Sequence, residues 1–248
     1  MHHLTPPPPS SSADIFPRLR HHGKQSLEGF CNAIHHTRSM SAEYGIVSLQ
    51  IREQLYQHFQ DEVLILGVVP LIPSTNRPKP NPHHTYIEVS RREQDRYLLG
   101  WHIWGNTRDE VFVLQPEDEA SVINTTPGSI TPQQSHYPAS KCLMAISWNV
   151  LVPNLLDVFT IITHLSIMFP HYNKFTRQCS WLAHATYDIL ESCYNPVLTP
   201  HGIRIFAYPT PKPPESLYLL CRCQREWSQV ARPYLGIGMG FGFGGLFM

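Results

Sequence analysis

The chain has 248 residues, and its 19 Lys and Arg residues balance its 19 Asp and Glu residues, so its formal net charge at pH 7 is zero. This balance argues against the basic footprint of a nucleic-acid-binding protein, and we expect no nucleic-acid partner. Apolar residues make up 42% of the chain, which is enough for the core of one large domain or two small ones.

The sequence also shows none of the apolar segments that direct proteins into membranes. It has no run of about 18 uninterrupted apolar residues, so we expect no transmembrane helix. The first residues, Met-His-His-Leu-Thr and four prolines, have no basic segment followed by an apolar stretch, so we expect no secretory signal and a cytoplasmic location. We therefore expect free thiols rather than a disulfide framework at Cys31, Cys142, Cys179, Cys193, Cys221 and Cys223.

The N-terminal part of the chain contains one polar stretch and two apolar ones. Residues 1–40 are rich in Pro, Ser and His and have few aliphatic side chains, so we predict that they are disordered. Residues 42–60 are predicted to form a helix, with an apolar stripe at Ile46, Leu49, Leu55 and Phe59. Val63 to Val69 is a continuous apolar run that ends at a proline, which indicates a buried strand.

A hairpin is predicted over residues 84–104. His84 to Val89 alternates as a strand, with Tyr86 and Glu88 on one face and the intervening residues on the other. The polar segment 90–96 is interpreted as the turn, and 97–104 as the returning strand. A further strand is possible at 111–114.

The C-terminal half is predicted to be mainly helical. Residues 116–140 are polar and are interpreted as an exposed loop, and 141–148 as a strand. Helices are predicted over 155–169, opened by Asn154 or Pro153, over 180–190, and around 217–227. Residues 203–208 are predicted to form a short strand or part of a loop. We predict a single α+β domain over residues 41–235 and a flexible glycine-rich tail over residues 236–248.

Cys179 is the residue that suggests chemistry. It lies at the expected start of the helix over 180–190, with Thr176 as a candidate N-cap. A thiol in a first helical turn is close to unpaired backbone N–H groups and to the positive end of the helix dipole, and both favour the nucleophilic thiolate. The alternative is that Cys179 is a small, buried and inert apolar residue.

Two histidines and an amide complete a candidate site. His84 opens the predicted hairpin and His102 lies in its return strand, so pairing of the strands can place them side by side. We expect His84 to take the proton of Cys179 as a base and His102 to orient it. The amide of Gln178 is expected to face a developing oxyanion. The alternatives are that His84 is a solvated histidine and that His102 is a packed strand residue between two tryptophans.

The order His84, His102, Cys179 resembles the permuted papain-like group, which includes lecithin:retinol acyltransferase-like and NlpC-type proteins. In that group a histidine opens a strand, a second polar residue follows on the next strand, and the cysteine comes later at a helix start. Residues 84–89, His-x-x-Ile-x-Val, look like the group's first strand. This chain has Gln178 where the group usually has Asn and Thr85 where it usually has an aromatic residue. Residues 173–183 also resemble a segment of proteins from mushroom-forming fungi, to which no established activity is attached.

The resemblance implies an antiparallel sheet packed against a cysteine-bearing helix. It further implies a cysteine-histidine acyltransferase or a hydrolase of amides or esters, acting on a small-molecule acyl or peptide substrate. The alternative is a non-catalytic binding or interaction module on the same scaffold. We predict no cofactor and no metal, because the Cys221-x-Cys223 spacing is shorter than that of zinc sites and no second ligand pair is evident.

Overall fold

The structure is a computed structural model of the 248-residue chain. It describes residues 15–21, 23–37, 43–55, 60–72, 75, 77–80, 82–93, 104–119, 122–123, 126, 128–131, 138–149, 151–173, 179–198 and 212–235. All statements on structure below concern these residues, and the proposed short strand over 203–208 and the tail over 236–248 lie outside them.

The described strands form an antiparallel sheet with the order β1-β6-β5-β3-β2-β8-β10. Three short strands pair at its margins, namely β4 with β3, β7 with β8 and β9 with β6. The strands are β1 (Gln25–Ser26), β2 (Tyr44–Leu55), β3 (Gln60–Ile72), β4 (Arg77–Pro78), β5 (Thr85–Glu93), β6 (Trp104–Val113), β7 (Ile130–Thr131), β8 (Ser140–Ser147), β9 (His171–Asn173) and β10 (Val197–Leu198).

Helices cover one face of this sheet. The helices are α1 (Phe16–His21), α2 (Leu27–His36), α3 (Pro116–Glu119), α4 (Leu155–Met168), α5 (Cys179–Tyr194) and α6 (Glu215–Leu235). The main core joins this face to every helix except α3, with Ile51, Leu64 and Ile87 from the sheet and Phe159 and Trp181 from the helices. The fold is therefore α+β with an antiparallel sheet, as the sequence predicts.

The opposite face of the sheet buries a smaller apolar cluster together with polar side chains. Because side chains alternate along a strand, Val63 and Ile65 point away from the face that carries Leu64. They pack with Tyr86, Leu114 and Val122. Buried polar groups share this face, namely Gln50, Arg52, Gln54 and Glu88. The two faces thus differ strongly in polarity.

The predicted helix over residues 42–60 is wrong, because residues 44–55 form strand β2. Leu49 and Ile51 enter the main core, whereas Gln50, Arg52 and Gln54 occupy the other face. Arg52 donates hydrogen bonds to Ser140 Oγ (3.0 Å) and to Gln50 Oε1 (2.9 Å), and Gln54 Nε2 donates to Glu88 Oε2 (2.9 Å). These bonds give the buried polar side chains of β2 partners within the protein.

The prediction of disorder over residues 1–40 is wrong for residues 15–37. Ser26 caps α2, because its hydroxyl accepts a hydrogen bond from the N–H of Gly29 (3.1 Å). Phe30 and Ile34 are fully buried, and the ring of Phe30 lies 4.7 Å from that of Phe159 in α4. A few large apolar side chains are enough to order this segment on the core, so the predicted domain boundary at residue 41 falls too late.

Other elements lie close to their predicted positions. The strands over 63–69 and 141–148 and the helix over 155–169 are confirmed, and Asn154 caps that helix by accepting from the N–H of Leu156 (3.0 Å). The hairpin is displaced: β5 continues into the predicted turn as far as Glu93, and its partner is β6, which begins at Trp104. The predicted loop over 116–140 contains α3 and β7, and Asp118 and Glu119 of α3 are buried.

Candidate functional site

Helix α5 begins at Cys179, so the residue stands in the first turn as the sequence predicts. The next residues, Ser180, Trp181 and Leu182, are all buried. The first turn of the helix is therefore packed onto the body of the protein.

A buried ion pair lies beneath this first turn. Arg91 of β5 donates from Nε and Nη2 to the two carboxylate oxygens of Asp109 on β6, at 2.8 and 2.7 Å. The side chains of Arg91 and Asp109 are 0% and 3% exposed, so water screens this pair very little. Ser166 Oγ of α4 donates to Asp109 Oδ2 (2.5 Å), and Arg91 Nη1 donates to the carbonyl of Phe169 (3.0 Å).

The ion pair contacts the first turn of α5 through Trp181. The guanidinium carbon of Arg91 lies 5.5 Å from the ring centroid of Trp181, which permits a cation–π contact. The ring of Phe169 meets Trp181 edge-on at 4.7 Å. One turn later, His184 Nε2 lies 2.9 Å from Glu62 Oε2 of β3. The first two turns are thus held over β3 and β5.

The chain that leads to Cys179 is paired with the start of β6. Trp104 lies opposite Asn173, and Asn106 lies opposite His171. In an antiparallel pair, the chain entering one strand and the chain leaving the other emerge at the same end. Residues 174–178 and residues 94–103 themselves lie outside the described residues, and they include Gln178 and His102. The structure therefore shows where their flanking strands meet but leaves these two site residues as predictions.

The structure does not bring His84 to the start of α5. The exposed ring of His84 stacks on Tyr86 with centroids 6.2 Å apart, and Tyr86 belongs to the face opposite the helices. Arg91, beneath the first turn of α5, stands near the far end of β5, about 20 Å away at the usual strand rise of about 3.3 Å per residue. His84 and the start of α5 therefore lie on opposite faces of the sheet and near opposite ends of β5.

His84 belongs to a different group of titratable side chains. Although His84 is exposed to water on one side, the partial burial of its ring lowers its pKa, and the neighbouring His83 lowers it further. Arg20 Nη2 lies 2.6 Å from Glu119 Oε1, yet the pKa of Glu119 is raised, because the cost of burial outweighs the ion pair. The pKa of Tyr86 is raised by burial and by the charge of Glu119.

Sequence reasoning missed Arg91, Asp109 and Ser166. Arg91 had been assigned to the hairpin turn, where a charged residue is ordinary. The pairing of Arg91 with Asp109 cannot be predicted from the residues near either of them in the sequence, because it depends on the register in which β5 and β6 pair. The only sequence clue is that both stand at alternate positions from apolar strand residues, on the face that enters the core.

The remaining thiols differ in accessibility. Cys31, expected in an accessible disordered segment, is instead buried, and its sulfur lies 3.1 Å from Thr163 Oγ1. Burial raises the pKa of Cys31 and that of Cys142. Cys223 is exposed. It is therefore the natural reference for an accessible thiol in this chain.

No metal-binding group of three or more His, Cys, Asp or Glu side chains occurs among the described residues. In the same part of the chain, no helix is long and apolar enough to cross a membrane. Comparisons with protein-family models, with curated proteins and with solved structures found no match. Function is therefore inferred from the residues and their geometry.

Proposed function

We propose that the start of α5 is a thiol active site that transfers or hydrolyses the acyl group of an amide or ester. In this proposal Cys179 is the nucleophile and His102 is its base. The observation that carries the proposal is the pairing of Trp104 with Asn173. His102 precedes Trp104 by two residues and Cys179 follows Asn173 by six, so both leave the same end of one short strand pair.

The chemistry follows from these two groups. His102 takes the proton of the Cys179 thiol, and the thiolate attacks the carbonyl carbon of the substrate. The amide of Gln178 and the free N–H groups of the first helical turn stabilise the oxyanion. The imidazolium returns its proton to the leaving amine or alcohol, and water or a second acceptor then releases the acyl group from the thioester. Small-molecule acyl compounds and peptides are the substrate classes of this reaction.

The proposal changes the role of His102. The sequence suggested that His84 is the base and His102 the orienting group, but His84 lies on the other face of the sheet. The permuted papain-like fold likewise remains a proposal. It is supported by the antiparallel sheet, by the order of histidine and cysteine in the chain, and by a helix that begins at the cysteine.

A non-catalytic binding module is the second candidate, and the position of His84 favours it. Because His84 lies away from the start of α5, Cys179 has one candidate histidine rather than two. In thiol enzymes a third residue commonly orients the base that activates the cysteine. The candidate site lacks an assigned residue for that role. The two candidates differ in one measurable property, the reactivity of the Cys179 thiol.

Alkylation by iodoacetamide at pH 6, followed by peptide mass spectrometry, tests the proposal. An unperturbed thiol has a pKa of about 8.5, and a helix start with an imidazolium lowers it by one to several pH units. We expect Cys179 to react about tenfold faster than the exposed Cys223, even after its lower intrinsic nucleophilicity is included. His102→Ala should remove most of this advantage.

His84→Ala is the matched control and should leave the reactivity of Cys179 unchanged. If Cys179 is no faster than Cys223 in the folded protein, the acyl-transfer proposal fails and the binding module stands. If His84→Ala slows the reaction and His102→Ala does not, the assignment of the base is overturned. Circular dichroism on each variant checks that the fold is intact.

A further inference from the structure

A second pair of thiols lies at the other end of α5. Cys193 is in the last turn of this helix and Cys221 is in the second turn of α6, and both are fully buried in the main core. Each thiol shifts the pKa of the other, so the two side chains lie within interaction range of each other. The sulfur of Cys193 also lies 3.6 Å from the carbonyl of Tyr218, three residues before Cys221, so it faces the side of α6 that carries Cys221.

The environment of the pair makes its two members unequal. Arg225 Nη1 donates to the backbone carbonyl of Cys193 (2.5 Å), which holds a guanidinium close to that residue. The hydrogen bond from Cys221 lowers the pKa of Cys193, and the charges of Arg222 and Arg225 act in the same direction. The same hydrogen bond, followed by burial, raises the pKa of Cys221. These directions make Cys193 the thiol that loses its proton more readily and Cys221 the one that keeps it longer.

We propose that Cys193 and Cys221 form a reversible disulfide that ties the end of α5 to α6. With hydrogen peroxide as the oxidant, the Cys193 thiolate attacks one oxygen and becomes a sulfenic acid, and hydroxide leaves and takes up a proton. The sulfur of Cys221 then attacks the sulfur of Cys193, the S–S bond forms and water leaves. In total two thiols and one peroxide give one disulfide and two waters, and a dithiol reductant reverses the change.

The neighbouring thiol Cys223 makes the assignment specific. It stands two residues after Cys221 on α6 and is exposed, whereas Cys221 is fully buried, so the two sulfurs leave opposite sides of the helix. Exposure alone would make Cys223 the first thiol to oxidise. If a disulfide forms between the buried Cys193 and Cys221 and not with the exposed Cys223, the contact between the two buried thiols decides which thiols are joined, and exposure to the oxidant does not.

The test is limited oxidation of the full chain with hydrogen peroxide, followed by peptide mapping without reduction. We expect a cross-linked peptide that joins Cys193 to Cys221, a loss of about 2 Da in the intact mass for that bond, and a rise in Tm of roughly 5 °C that a dithiol reductant reverses. Cys223→Ala should form the same cross-link, and Cys193→Ala and Cys221→Ala should not.

The wild-type map decides the matter even if a buried Cys→Ala variant folds poorly. If the map shows Cys193 and Cys221 free while Cys223 is oxidised, or shows either of them joined to Cys223, the proposal is overturned. The cross-link is independent of activity at Cys179. Its formation in a protein whose Cys179 proves inert would leave this inference standing and the proposed function refuted.

Discussion

One face of the sheet is covered by helices and buries Ile51, Leu64 and Ile87 in the main core, whereas the other buries a small cluster around Ile65 and Tyr86 beside polar side chains. The Arg91–Asp109 ion pair stands beside the main core, and the Arg20–Glu119 ion pair stands near Tyr86 of the smaller cluster. The helix-covered pair is bidentate and closed to water, and it positions the start of α5. The opposite pair is held by one carboxylate oxygen and is 16% and 10% exposed. We therefore expect substitutions on the helix-covered face, which carries the candidate site, to cost more stability than those on the opposite face.

The two ion pairs provide the largest expected difference between the faces. Asp109→Ala leaves the buried guanidinium of Arg91 without its carboxylate and should lower the free energy of unfolding by about 3–5 kcal/mol. Glu119→Ala should cost about 1 kcal/mol, because Arg20 is partly solvated and keeps its hydrogen bond to the carbonyl of Leu114. Urea unfolding measures both, and equal losses would contradict the ranking of the two faces.

Two strand glycines allow the faces to be compared by adding one methyl group. A Cβ at Gly45 would stand 2.6 Å from Val152 Cγ1 and 2.8 Å from Leu71 Cδ2, two branched side chains packed in the main core. Gly45→Ala should therefore cost about 2 kcal/mol. At Gly67, on the other face, the new methyl meets chiefly the hydroxyl of Ser48, which can rotate away.

We expect Gly67→Ala to cost less than about 1 kcal/mol, since the loss of backbone freedom in the unfolded chain offsets part of the strain. The midpoints of thermal unfolding for the two variants, measured under one set of conditions, give the comparison. A larger loss at Gly67 than at Gly45 would show that the polar face is packed as rigidly as the helix-covered one.

The smallest expected effect is a pH dependence at the end of the polar face. Because partial burial and the neighbouring His83 lower the pKa of His84 in the folded protein, the unfolded chain binds a proton there more readily. The stability that His84 contributes is complete above its unfolded pKa of about 6.5 and is lost as the pH falls below it. His84→Gln should reduce the fall in Tm between pH 7.5 and pH 5.5, and an unchanged fall would refute this role.

The sequence predicted correctly those elements in which apolar residues follow one another in a continuous run or stretch. The apolar run of β3 and the capped helix α4 were found because Val63–Val69 is continuous and Asn154 precedes a long apolar stretch. Strand β2 was misjudged because its polar residues, such as Arg52, are buried on the second face. The sequence shows their alternation but not the partners that satisfy them.

The candidate site was predictable only in part, because it depends on contacts between distant residues. The start of α5 at Cys179 follows from local features. The pairing of Trp104 with Asn173, and the placement of His84 behind the sheet, depend on strand register and on how far β5 extends. A one-residue shift in register moves every side chain to the other face, so a histidine at a strand end cannot be assigned to a site from sequence alone.

The pairing of β2 has a consequence for the protein during its synthesis. Strand β2 pairs on one side with β3, the next strand in the chain, and on the other side with β8. Ser48 of β2 is therefore synthesised 99 residues before its partner Ser147. At about 5–20 residues per second, a ribosome needs roughly 5–20 s to supply that partner. For this time the nascent hairpin presents an open edge that another strand can occupy. Slower translation between β3 and β8 should therefore lengthen the period in which a new chain is open to aggregation.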